Sequence, residues 1–109
     1  MTTGVAAISP GGEAEAENFG EDAFGDRSLL NELLVASGRQ DEAAFARFYQ
    51  LTSPWIYLLI RRRTGSTAHA ENAMRVAYTA IWRRAASFAP PKQSALAWAT
   101  TIAYESVAR

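Results

Sequence analysis

The chain has no cysteine and a single histidine, His69, among its 109 residues. Without thiols, disulfides and thiolate metal centres are excluded, and one imidazole with few acids near it supplies too few ligands for a metal site. Carboxylates are scarce in the second half, where residues 43–109 hold only Glu71 and Glu105. These two fall on different predicted helices, so the paired acid and base of a hydrolytic site are not expected. Glycine-rich phosphate loops and nucleophile motifs are also missing. The expectation is a non-enzymatic protein with no cofactor and no small-molecule substrate. The longest strongly apolar run, Trp55–Ile60, falls far short of the roughly 20 residues of a membrane span. The acidic N-terminus lacks the apolar segment of a secretory signal. A cytoplasmic location without a membrane partner follows as an expectation.

What is present is an uneven distribution of charge. Hydrophobic residues make up 49% of the chain and the net charge is zero, which allows one small domain plus a tail. Residues 1–42 carry nine acids against Arg27 and Arg39, a balance of −7; residues 43–109 carry nine basic residues against two acids, a balance of +7. A basic body with an acidic arm is an electrostatic footprint suited to an anionic partner. Solvated arginines that keep an alanine-rich bundle soluble account for the same numbers.

Residues 1–26 combine small residues and acids with scattered apolar positions, Phe19 and Phe24 among them. Such a segment cannot offset its ordering entropy by burial, which predicts a disordered tail ahead of a helical domain at 27–109. Asp26 or Ser28 is placed to cap a first helix, RSLLNELLVASG, with Gly38 as its stop. Asp41 caps a second, on which Phe45, Phe48, Tyr49 and Thr52 share a face. Pro54 predicts a kink or restart, after which Ile56, Leu59 and Ile60 are buried. Ser66 or Thr67 opens a long helix to about Ser87, with a buried stripe through Met74, Ala77 or Tyr78, Ile81, Ala85 and Phe88. A loop fixed by Pro90 and Pro91 leads to Ser94, the cap of a last helix whose apolar side is Leu96, Ala99, Ile102 and Ala103. No segment alternates with period two. The fold class is all-α, a compact helical bundle.

Three blocks carry a family likeness. They are DEAAFARFYQLTSP at 41–54, AENAMRVAYTAIWRRA at 70–85 and FAPPKQSALAWATTIA at 88–103. In this order and at these gaps they resemble region 2 of the extracytoplasmic-function sigma factors, bacterial members of the sigma-70 family. The resemblance covers about residues 29–109. It implies a transcription initiation protein that binds RNA polymerase core and promoter −10 DNA. In the family an acid, a glutamine and a second acid on the long helix grip the clamp helices of the polymerase's largest subunit. The matching positions here are Asn72, Arg75 and Val76, on one outward face with Thr79 and Arg83.

The resemblance also implies a DNA side, where the loop and last helix capture unstacked bases between aromatic walls and backbone-tracking cations. The candidates are Arg84, Phe88, Lys92, Ser94, Trp98 and Thr101, although Trp82 and Trp98 read first as core or core-rim aromatics. Beyond Ala103 the family continues with a histidine or asparagine and arginines, where this chain has Tyr104, Glu105 and Ser106. No segment resembles region 4, the helix-turn-helix domain that reads the −35 element. The alternative is a sigma-like interaction module without DNA binding, which sequesters an anti-sigma factor or partners a separate region 4 protein.

Overall fold

In a computed structural model, residues 27–90 and 93–108 are described. They form four α-helices: α1 (Arg27–Gly38), α2 (Glu42–Arg62), α3 (Thr67–Arg84) and α4 (Ala95–Val107), with a 3-10 turn at Ala85–Ser87 between the last two. No strand occurs among the described residues. The predicted tail, with Phe19 and Phe24, lies outside them, as do Asp26 and Lys92.

Local chemistry sets the helix starts. The side chains of Asp41, Ser66 and Ser94 accept hydrogen bonds from the backbone N–H groups of Ala44, His69 and Ala97 respectively, each at 3.1 Å. Each satisfies a donor that its helix leaves without an internal partner. At α4 a second orphan donor is covered from a distance: Ala95 N–H donates to Asn31 Oδ1 at 2.8 Å. One α1 side chain thereby ties the first helix to the start of the last.

Pro54 does not restart the second helix. The ladder runs on through it to Arg62, because the lost donor is cheap where it falls. Pro54 lacks the N–H that the carbonyl of Gln50 would accept, and both residues are exposed, so water can take that place. Gly38 is the last residue of α1, as expected, and it does more than stop the helix. The positive φ belongs to Gln40, at 73°, while Gly38 is where α1 touches the turn after α3. A Cβ there would stand 2.9 Å from the backbone C and O of Ala85 and from Cα of Ala86. Gly38→Ala is therefore expected to destabilise by about 1–3 kcal/mol through overpacking, against the gain of up to about 1 kcal/mol that helix propensity alone would give. The sign of the change in thermal midpoint decides between the two.

The core draws on all four helices. Leu30 and Leu34 of α1, Phe48, Ile56 and Ile60 of α2, Ile81 of α3 and Leu96 of α4 are at most 1% exposed. Alanines 70, 73, 77, 95, 99 and 103 are buried between them, so helices approach closely where the small side chains lie and interlock where the large ones do. The predicted apolar side of α4 is buried at all four positions.

Candidate nucleic-acid and polymerase interface

The packing of α3 against its two neighbours leaves a groove on each side. On the α4 side, the five candidates Asn72, Arg75, Val76, Thr79 and Arg83 line one cleft of about 510 Å³. Ala80 and Arg84 of α3 and Ile102, Glu105 and Ser106 of α4 complete it. Spacings of three and four residues bring the α3 positions into line, and the small residues Ala73, Ala77, Ala99 and Ala103 behind them let the helices pack closely. Asn72, Arg75, Thr79, Arg83 and Arg84 are exposed and Val76 is half-buried. Arg75 donates from Nη2 to Asn72 Oδ1 at 3.4 Å, a weak tether along the helix surface. Arg83 and Arg84 occupy the last turn, where the helix dipole favours cations. The cleft is cationic at its rim and apolar at its floor.

Two of these arginine contacts cross between helices. Arg84 Nη1 and Glu105 Oε1 are 3.2 Å apart, and the Arg63 guanidinium carbon stands 4.0 Å above the centroid of the Tyr104 ring. Glu105 and Tyr104 are adjacent, so the last turn of α4 engages an arginine from α3 and another from the end of α2. Glu105 and Ser106 both depart from the family pattern and are adjacent in sequence, yet the structure separates them. Ser106 is only 7% exposed. Its hydroxyl donates to the carbonyl of Ile102 at 2.9 Å, which turns it inward.

Among the remaining candidates, Phe88 and Ser94 are framework residues in this conformation rather than surface contacts. Phe88 is buried and meets the half-buried Trp98 edge to face, with ring centroids 5.6 Å apart. Ser94 is 1% exposed with its hydroxyl committed to the α4 cap. Trp98 retains a partly open face. Thr101 is exposed, and its hydroxyl donates to the carbonyl of Ala97 at 3.1 Å.

The groove on the other side of α3 was not anticipated. It lies against α2, encloses about 1060 Å³ and is lined by Phe45, Tyr49, Pro54, Tyr57, Met74, Tyr78 and Trp82, with Glu42 and Glu71 among the polar residues. Phe45 packs on Trp82 at 5.1 Å between centroids and Tyr49 on Tyr78 at 4.7 Å. Helical spacing puts Phe45 and Tyr49 on one face of α2 and Met74 and Tyr78 on one face of α3, but Met74 is half-buried and Tyr49 exposed because they border this groove. Beneath it, Tyr78 Oη and Thr52 Oγ1 are 2.7 Å apart, and Thr52 in turn donates to the carbonyl of Phe48 at 2.8 Å.

Burial pushes the Tyr78 phenol well above the usual tyrosine value; the Thr52 bond opposes this and neighbouring Tyr49 adds to it. The folded value exceeds the unfolded one, so this contribution to stability is intact below about pH 10 and is lost as pH rises further. Tyr78→Phe should cost about 0.5–1.5 kcal/mol at pH 7 and flatten the fall in stability between about pH 10 and 12. Urea titrations across that range provide the check, and an unchanged alkaline slope would refute the assignment.

Residues 48–108 match the family described as Sigma-70 region 2. The chain belongs to the sigma-70 region 2 family. The matched span runs from the second turn of α2 to the end of α4 and contains the whole cationic cleft. The region 2 domain is also 39% identical over 77 residues to the ECF RNA polymerase sigma factor SigK of Mycobacterium tuberculosis H37Rv, covering 71% of this chain and 41% of that protein. The SigK proteins of Mycolicibacterium vanbaalenii and Mycobacterium ulcerans are 36% and 35% identical over 75 residues, covering 69% of this chain and 38% and 40% of theirs. The chain thus spans about two fifths of the length of these relatives. No solved structure matches it significantly. Among the described residues, no helix is long and apolar enough to cross a membrane, and no three His, Cys, Asp or Glu side chains gather as a metal site would need.

Proposed function

We propose that this region 2 domain acts in transcription initiation, binding core RNA polymerase through the outward face of α3 and meeting promoter −10 DNA along α4 and the loop before it. The observation that carries the reading is the convergence of Asn72, Arg75, Val76, Thr79 and Arg83 on one cleft with Arg84, within the span that matches the family. The relatives' description as RNA polymerase sigma factors supports it. The role is one of binding, with the cations Arg83, Arg84 and Lys92 for phosphate or polymerase acids and Trp98 and Thr101 for bases.

One feature favours a second reading. Where carboxylates would meet the polymerase clamp, the α3 face offers Asn72, Arg75 and Val76, and a cation facing cationic partner groups opposes association. A module that retains the apolar framework while its outer face is recharged suits a different protein partner, such as an anti-sigma factor or a separate region 4 polypeptide. Pull-down of purified full chain with core polymerase at moderate salt separates the two. Retention of core, followed by open-complex formation at promoter DNA, supports the first. Absence of core binding, together with recovery of a small regulator by mass spectrometry from cells, supports the second.

A further inference from the structure

Arg84 and Glu105 sit where the rims of α3 and α4 meet, 3.2 Å apart. Their side chains are 47% and 48% exposed, so the pair is not a core element. An ion pair this open contributes little to folding, which makes its position on the cleft worth a different explanation. The described residues carry few acids: beyond α1 and the start of α2, only Glu71 and Glu105 remain. Glu71 lies on the aromatic groove. Glu105 is therefore the one carboxylate in the cationic cleft, and it lies against an arginine rather than in open solvent. Next to it, Tyr104 offers its ring to Arg63. Adjacent α4 side chains thus each engage a guanidinium that would otherwise face solvent.

A carboxylate within hydrogen-bond distance of a guanidinium uses the same donors and charge that a phosphate oxygen would use. We infer that Glu105 is an internal competitor for nucleic-acid phosphate, holding Arg84 in a self-neutralised state and lowering the affinity of this face for polynucleotide. The inference rests on the proposed nucleic-acid role and specifies how that role is restrained. Binding of a phosphate at Arg84 exchanges one ion pair for another, and the displaced Glu105 carboxylate is left beside the incoming backbone. Both effects oppose association.

The test is a titration of the full chain against a labelled single-stranded DNA of mixed sequence, with the matched duplex as a second arm. Glu105→Gln frees one cation for phosphate contact. The salt slope of single-strand binding should steepen by about 0.7, corresponding to roughly fivefold tighter binding at about 0.1 M salt. In an Arg84→Gln background, the same Glu105→Gln change should have a much smaller effect. Tightening confined to the Arg84 background supports the inference, in whichever arm it occurs. Equal tightening in both backgrounds overturns it, because that would be a diffuse effect of net charge. Unchanged DNA affinity while the parent chain binds also overturns it, as does a change seen only in affinity for core polymerase. If neither parent nor variant binds DNA, the inference and the nucleic-acid half of the proposed function fall together, while core retention in the pull-down is judged separately. Unaltered melting of the variant establishes that the fold is intact in every case.

Discussion

Truncating Phe48 to alanine is expected to cost about 3–5 kcal/mol and to leave a large fraction of the domain unfolded at ambient temperature. Phe48 is 0% exposed, the bulkiest of the fully buried side chains, and lies on the long α2 helix in a core shared by all four helices. Its removal withdraws a whole ring from water-free packing and leaves a hole that the surrounding isoleucines and leucines can only partly close. A domain of about 80 residues has total stability at the low end of roughly 5–15 kcal/mol, so a loss of this size consumes most of it. The neighbouring Gln50, exposed on the same helix, provides the contrast: Gln50→Ala should stay within about 0.5 kcal/mol. Urea unfolding followed by helical circular dichroism measures both. With a slope near 1 kcal/mol/M for so small a domain, the Phe48 midpoint should fall by about 3–5 M, and a loss below about 1 kcal/mol would mean the core is organised differently.

The second large effect concerns partner binding. Converting α3 to Asn72→Asp, Arg75→Gln and Val76→Glu together should strengthen binding to core polymerase by at least about tenfold, equivalent to roughly 1.4 kcal/mol. The change adds two carboxylates and removes one guanidinium from a single rim of the cleft. Asn72 and Arg75 are exposed and Val76 is half-buried. The long 3.4 Å hydrogen bond from Arg75 to Asn72 is given up, and surface exchanges of this kind leave the fold little changed. The gain should shrink as salt is raised, because exposed charges are screened. Anisotropy titrations of labelled chain with core polymerase give the answer. Equal affinity for parent and triple variant would remove this face from the polymerase interface.

Local features of the fold were legible because their causes are local. A Ser or Asp three residues before an amide writes its cap into the sequence, and Asp41, Ser66 and Ser94 all behave so. Buried stripes follow from a period of 3.6, which is why Ile81 and Ile102 could be placed. The restart expected at Pro54 does not occur, whereas Gly38 ends α1 as expected, though for more than its own propensity. Propensity describes a residue's own backbone, whereas solvent exposure excuses the proline and a neighbouring turn demands the glycine. Asn31 could not be found at all, since its hydrogen-bond partner Ala95 is 64 positions away. The candidate site divides in the same way. Helical spacing was enough to align the α3 residues, but whether an α4 side chain faces outward depends on helix rotation. That rotation separates exposed Glu105 from inward Ser106. The aromatic groove was invisible because its walls come from two helices, α2 and α3, whose packing local sequence does not specify.

The grip of Tyr104 and Glu105 on Arg63 and Arg84 has a geometric consequence for the end of α4. Two adjacent residues of its final turns meet arginines from different elements, one at the end of α2 and one at the end of α3. Each contact is weak alone, since the ion pair is open to solvent, but both fall at the same end of α4. Fraying of the last turns of α4 would therefore release Arg63 and Arg84 together.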